Sequence, residues 1–344
     1  MSCVVASSDK KTVDLTSVYQ FIATELDQVN SLLQKQLAHE NPYINEVVQY
    51  CCQLGGKRLR PVLVLLTAKA LGLVRQEHIL IATALEMIHT GSLIHDDILD
   101  GARFRRHLET VNLRWDSHTA VLAGDLLLIQ AMKMITQCKD IQVYQNISEA
   151  CFSTCEGELR QIAFQSHFDM TDDDYFKVIG GKTAALLKCC CQLGAYFSNA
   201  SEKTIALFEN FGFALGIGFQ MIDDILDLIG NENETGKTLG TDLLNHKPTL
   251  PLIHYLKNAS TERRKEMLSL VQQQTLERQT ISIIRDILKK SGSIQYAREK
   301  ARSFMESALH LIKEQLQGPS FNSEQKEAFN AFSNIISFII LRKK

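Results

Sequence analysis

The chain of 344 residues has only five prolines, Pro42, Pro61, Pro248, Pro251 and Pro319, each at the edge of a periodic segment rather than inside one. So few helix-breaking residues leave room for long helices. Charge of one sign is also lacking. Lys and Arg number 37 against 39 Asp and Glu, a net charge of -2, which gives no broad positive field for a nucleic acid. Any attraction for anions must therefore be local. Disulfide patterning is absent as well: nine cysteines, among them the adjacent Cys51-Cys52 and Cys189-Cys190-Cys191, have no regular spacing, and neighbours on a helix point in different directions. A reducing cytoplasm is the expected compartment. The most apolar run, Pro61 to Val74, is interrupted by Lys69 and falls short of a membrane span. Residues 1–15 carry Lys10 and Lys11 beside Asp9 and Asp14 with no arginine, which fits neither a signal nor a transit peptide. They are expected to form a flexible tail ahead of one helical domain over 16–344.

What is present is apolar residues at three- and four-residue spacing. Val18, Ile22, Leu26, Val29, Leu32 and Leu33 form one set; Ile79, Leu85, Ile88 and Leu93 a second; Ile205, Phe208, Phe211 and Leu215 a third; Phe304, Ala308, Leu311 and Ile312 a fourth. No alternating stretch with a hairpin turn stands out, so the fold class is all-α. Loop signals fall at Gly55-Gly56, Gly101 to Glu109, Asp169 to Asp172, Asn231 to Gly240 and Gly318-Pro319. None resembles a Ser/Gly/Pro linker, so a single large helical domain is expected.

One five-residue string, Asp-Asp-Ile-Leu-Asp, occurs at 96–100 and again at 223–227. On a helix Asp96 and Asp100 share a face, with Asp97 about 100° from Asp96. Carboxylates crowded at a helix C-terminus are unfavourable unless something positive sits between them. An isolated cluster of this kind reads most simply as a solvated helix end. Its duplication, each copy beside apolar residues (Leu93 and Ile94; Met221 and Ile222), favours a ligand that bridges both through magnesium, and a diphosphate has the chemistry for it.

Basic sets accompany the acids. Gly55-Gly56-Lys57-Arg58-Leu59-Arg60-Pro61 places three cations in a Gly-rich turn ahead of a helix; Arg103, Arg105 and Arg106 follow the first acidic cluster. Gly181-Lys182-Thr183 and the segment with Lys237 and Lys247 complete the inventory. Thr171 to Gly181 offers no Gly-x-x-x-x-Gly-Lys arrangement, so nucleotide hydrolysis is not indicated. Each set alone is ordinary surface.

In order, Gly-Gly-Lys-Arg-x-Arg-Pro at 55–61, Asp-Asp-x-x-Asp at 96–100 with Arg105-Arg106, Gly124-Asp125, Lys182-Thr183, Phe219-Gln220-x-x-Asp223-Asp224-x-x-Asp227 and the Lys237–Lys247 loop with Thr249-Leu250-Pro251-Leu252 resemble the trans-polyprenyl diphosphate synthase family, long-chain type. The resemblance implies an orthogonal helical bundle around a central cavity and head-to-tail condensation of isopentenyl diphosphate onto an allylic diphosphate, with Mg2+ as cofactor. It also implies a homodimer. By resemblance Asp96, Asp97, Asp100, Asp223, Asp224 and Asp227 belong to the metal clusters. Arg105, Lys182 and Lys237 hold the allylic diphosphate; Lys57, Arg60, His89 and Arg106 hold isopentenyl diphosphate; Lys247 lies in the substrate loop; Thr183 and Gln220 present oxygen dipoles to a developing cation. His89 alone would read as a packed polar residue. The chain departs from the family at 107–109, where Gly-Lys-Pro is usual and His107-Leu108-Glu109 stands, and at His246, where Gly is frequent.

Each helical turn rises about 5.4 Å, comparable with one isoprene unit, so side chains upstream of Asp96 gauge product length. The fourth and fifth positions back are Ser92 and Gly91, with Ile88, Leu85 and Ala84 deeper. None is aromatic, so a product of seven to nine units from farnesyl diphosphate is expected, delivered to membrane enzymes for a quinone side chain. The alternatives are a geranylgeranyl-type synthase, whose tunnel another residue closes, a non-catalytic partner subunit, and a terpene cyclase, which would not need Lys57 and Arg60.

Overall fold

The computed structural model describes residues 15–54, 56–230, 240–273, 275–316 and 322–342. Residues 1–14 of the expected tail, 231–239 of the expected loop and the Gly318-Pro319 turn lie outside them, while Leu15 is already buried. The first helices are α1 (Thr16–Phe21), α2 (Ala23–Leu37), α3 (Pro42–Gln53), α4 (Leu59–Leu71) and α5 (Gln76–Leu99). A hairpin of β1 (Phe104–Arg105) and β2 (Leu108–Glu109) leads to α6 (Val111–Arg114), α7 (Ser117–Ile135) and α8 (Ile141–Ala163). Then come α9 (Asp172–Ile179), a π-helical turn at Gly180–Ala184, α10 (Ala185–Tyr196) and α11 (Glu202–Ile229). The remainder is α12 (Thr241–Leu244), α13 (Leu250–Asn258), α14 (Thr261–Val271), α15 (Arg278–Lys290), α16 (Ser293–Leu316) and α17 (Ser323–Leu341). The architecture is an all-α bundle.

Local chemistry starts these helices where the sequence suggests. Asn41 accepts from the amides of Tyr43 and Ile44 with Pro42 in the first turn; Asp116, Asp140 and Ser201 cap α7, α8 and α11; Thr171 and Asp174 form a capping box on α9. The first periodic set is divided at Ile22 between α1 and α2.

Two close crossings aim the site. At the first, α5 meets α7: a Cβ on Gly91 would stand 2.9 Å from Gly124 O, and one on Gly124 would collide with the His95 ring. Two backbones meet where no side chain fits. Gly91 therefore faces α7 and packs there, instead of leaving open space upstream of Asp96. At the second, α11 lies on the π-turn and α10 through Gly212 and Gly216, whose Cβ positions fall on Leu187 and Ala184. Residues four apart share a face, so the same stripe carries Gln220 and Asp224.

The Gly101 to Glu109 loop contains a short hairpin that no alternating pattern announced: Phe104 pairs with Glu109 and Arg105 with Leu108, and the turn residues Arg106 and His107 have φ of 51° and 66°. Both signs match a two-residue type I′ turn, which glycine or asparagine normally supplies, so the loop was legible but its turn type was not. Longer than the Pro61 to Val74 run, 117–138 and α11 are each long and apolar enough, by length and composition, to cross a membrane. The α11 segment includes the buried stripe just described. Only 39% of the 117–138 window is buried, and α7 exposes Val121, Leu122, Leu126 and Ile129.

A side chain in the left-handed region costs about 1 kcal/mol or more. His107→Gly should therefore raise the unfolding free energy by about 1 kcal/mol in urea denaturation; a loss of stability would show that the imidazole makes a compensating contact.

Candidate active site

The first wall of the site is the C-terminal end of α5. Asp97 is 3% exposed and takes a two-pronged bond from Arg105, with Nε at 2.9 Å and Nη2 at 2.7 Å. The hairpin thus carries Arg105 back onto the helix it follows. Asp100 caps the helix and binds Lys247 Nζ at 2.9 Å. Burial pushes Asp96 up to about 6, with Glu158 and Asp100 adding to the rise and Lys182 and Arg105 opposing it. Lys182 in turn contacts Glu158 of α8 at 2.6 Å. Burial pulls the Lys182 ammonium down, but Glu158, Asp96 and Asp100 outweigh it and hold it above the usual range.

The π-turn places Lys182. Cβ positions on Gly157 and Gly181 would run into the facing backbone of the turn and of α8, so the two segments touch backbone to backbone. An extra residue in a helix, as a π-turn provides, re-aims the side chains around it and often marks a functional site.

The second wall is the C-terminal end of α11. Thr183 donates to Gln220 Oε1 at 2.6 Å, Gln220 Nε2 donates to Asp224 at 2.8 Å, and Tyr175 donates to the other Asp224 oxygen at 2.7 Å. Burial pushes Asp224 up to about 6 against the pull of these two donors. Asp227 accepts from Thr241 Oγ1 at 2.8 Å and from the amides of Thr241 and Asp242. Asp223, more exposed, is ion-paired to Arg342, whose guanidinium also lies over the Phe219 ring at 4.4 Å. Lys247 bonds Asp100 of the first wall through Nζ and donates its amide to Asp242 O, and the Asp242 amide donates to Asp227 of the second, so the two clusters border a common space.

Beside the first wall lies the basic pocket. A Cβ on Gly56 would overlap the Arg106 guanidinium, so the Gly-rich turn and the hairpin tip touch. Tyr19 donates to Lys57 O, and Lys57 Nζ stands 4.2 Å over the Phe338 ring. Burial, then Arg60, Arg105, Arg106 and Arg58, push His89 well below the usual imidazole range, so it is a neutral hydrogen-bonding group among cations.

The predicted residues thus gather at one end of α5 and α11, except Lys237, which lies outside the described residues. Arg105 and Asp97 were assigned to diphosphate and metal; here they bind each other. Among the described residues no three His, Cys, Asp or Glu side chains stand together as an all-protein metal cage. A concave surface of about 460 Å³ between α8, α9, α10 and α11 contains none of the predicted residues. Sequence reasoning missed Glu158, Tyr175, Asp242 and Arg342. Asp242 stood in an inspected segment; the others carried no local signal. At both departures from the family a histidine occupies left-handed backbone, His107 at φ 66° and His246 at φ 50°.

Comparison with known proteins bears on the family and the fold. Residues 41–288 match the Polyprenyl synthetase family. The chain is 34% identical over 300 residues to the heptaprenyl diphosphate synthase component 2 of Geobacillus stearothermophilus, covering 87% of this chain and 92% of that protein. It is 30% identical to the octaprenyl diphosphate synthase of Escherichia coli K12, covering 88% and 93%. The crystal structure of a decaprenyl diphosphate synthase from Rhodobacter capsulatus superposes with a TM-score of 0.86 at 29% identity, covering 95% of this chain and 99% of that one. The chain belongs to the polyprenyl synthetase family and is a prenyltransferase.

Proposed function

We propose that the chain extends an allylic diphosphate, farnesyl diphosphate as primer, with isopentenyl diphosphate to an all-trans product of seven to nine units destined for a quinone. The observation that carries this reading is the pairing of two carboxylate walls with a separate basic pocket. One diphosphate needs metal, the other needs side-chain cations.

The donor set fits Mg2+: Asp96, Asp100 and Asp223 offer hard oxygens that are not buried in multiple protein bonds, and magnesium usually completes its sphere with water and substrate phosphates. When bound, the metal ions supply charge neutralisation for a departing diphosphate. Lys182 and Arg105 hold that diphosphate from the protein side, with Lys247 at the loop edge and Lys237 as a further proposed contact. The allylic C1–O bond breaks, the isopentenyl double bond attacks C1, and the C2 proton leaves to the released diphosphate. The Thr183 hydroxyl and the Gln220 amide, tied to each other at 2.6 Å, turn oxygen dipoles toward the developing cation. Lys57, Arg60, Arg106 and neutral His89 hold isopentenyl diphosphate, its charge balanced by side chains rather than metal.

Length control is proposed to rest on Ser92 rather than Gly91. Gly91 is sealed against α7, whereas Ser92 is partly exposed and donates its hydroxyl to His89 O. The deeper Ile88 and Leu85 are aliphatic and buried. Incubated with farnesyl diphosphate, labelled isopentenyl diphosphate and Mg2+, the protein should give products beyond four isoprene units, and Ser92→Phe should shorten them. Products ending at four units from the unaltered chain would establish the short-chain alternative.

Exposed apolar residues on α7 (Val121, Leu122, Leu126, Ile129) and on one side of α8 (Phe152, Leu159, Ile162) support a second subunit over these helices. A relative named as a synthase component favours, as a second reading, a different partner chain. Light scattering of the purified protein should give twice the chain mass with condensation activity intact. A monomer inactive alone would point to the heteromer.

Asp96 supplies a direct test of metal ligation. A nearby cation favours the charged carboxylate and lowers its pKa. By carbon-detected NMR against an Asp96→Asn reference, the Asp96 carboxyl of the metal-free protein should titrate at about 6. With Mg2+ and an unreactive allylic diphosphate analogue the midpoint should fall below about 4. An unmoved midpoint would remove Asp96 from the ligand set.

A further inference from the structure

One acid in the basic pocket is used by no step above. Glu86, on α5 upstream of His89 and Asp96, is 1% exposed and gives Oε1 to the Arg58 guanidinium at 2.9 Å. Arg58 is the N-cap of α4 with φ of 49°, and its Nη2 donates to Cys52 O at 3.3 Å. One side chain thereby ties the end of α3 and the start of α4 to the middle of α5. Of the cations in the Gly-rich turn, Arg58 is thus turned to the protein. Glu86 Oε2 and Arg60 Nε are among the five buried polar side-chain atoms that find no hydrogen-bond partner among the described residues. Arg60, Arg106 and Tyr19 all feel the Glu86 charge.

We propose that Glu86 is the positioning residue of the pocket read above as the isopentenyl diphosphate site. One oxygen holds Arg58, and with it the turn that carries Lys57 and Arg60. The other is open to the Nε–H of Arg60 when that guanidinium closes on a diphosphate. A guanidinium that shares one edge with a carboxylate and another with a phosphate is fixed in plane as well as in place. Without Glu86, Arg58 would be a half-buried cation lacking its carboxylate partner, and the turn would lose its tie to α5. The allylic diphosphate, held at the carboxylate walls, would be little affected. The inference rests on the assignment of Lys57, Arg60, His89 and Arg106.

Steady-state kinetics of the full chain with Mg2+ provide the test, using Glu86→Gln, Arg58→Gln, their combination and Arg60→Ala. At position 86 Gln preserves shape and removes charge; at position 58 it removes the guanidinium. Glu86→Gln and Arg58→Gln should each raise KM for isopentenyl diphosphate about tenfold, leave kcat and the allylic KM within about threefold, and in combination do little more than either alone. An equal rise in both KM values with a lowered melting temperature would reduce Glu86 to a folding residue and overturn the proposal. So would an unchanged isopentenyl KM in Glu86→Gln while Arg60→Ala raises it. If Arg60→Ala also leaves that KM unchanged, the pocket assignment itself fails.

Discussion

Carboxylates gathered at the C-terminal end of a helix repel one another and the helix dipole, and the rest of this structure is arranged around that constraint. Every aspartate of the two clusters meets a donor or an opposite charge from another segment of the chain. Arg105 reaches Asp97 from the hairpin, Lys247 reaches Asp100, Lys182 stands near Asp96, Tyr175 holds Asp224 together with Gln220 of the same helix, Thr241 holds Asp227, and Arg342 meets Asp223. The answers differ in kind. Asp97, Asp224 and Asp227 are each bound by several donors and shape the walls; Asp96, Asp100 and Asp223 keep oxygens available for chemistry.

The same division explains what could be read in advance. Helices, the paired acidic strings and the basic sets are local patterns, legible because a 3.6-residue period and a repeated spacing need no knowledge of what packs against them. Pairings over long separations are not local. Nothing near Arg342 links it to Asp223, and nothing near Glu86 names Arg58 as its partner. Gly91 marks the boundary between the two kinds of knowledge. Its small size was legible, but which neighbour required it was not, and the Gly124 carbonyl decided that it serves packing.

Backbone contact, rather than side-chain interlocking, places the groups of the candidate site. Gly216 on Ala184 brings α11 to the π-turn, and Gly157 with Gly181 brings α8 to the same turn. Thr183, Gln220, Lys182 and Glu158 therefore lie on segments with almost no freedom to separate without a change in the helix crossing. Precision of about half an ångström, which electrostatic stabilisation of a cation requires, is available from such a join and not from flexible side chains.

The two histidines in left-handed backbone, His107 beside Arg106 and His246 beside Lys247, flank groups assigned to diphosphates. A glycine there would wander between both signs of φ, and an arriving diphosphate would have to halt that motion out of its own binding energy. Histidine narrows the backbone yet disfavours the left-handed sign, so the hairpin pairing at 104–109 and, at His246, its bonds to Ser166 and Val271 must hold each φ positive. Two short loops thus carry a strain that the fold offsets in advance, and no ligand has to supply that work.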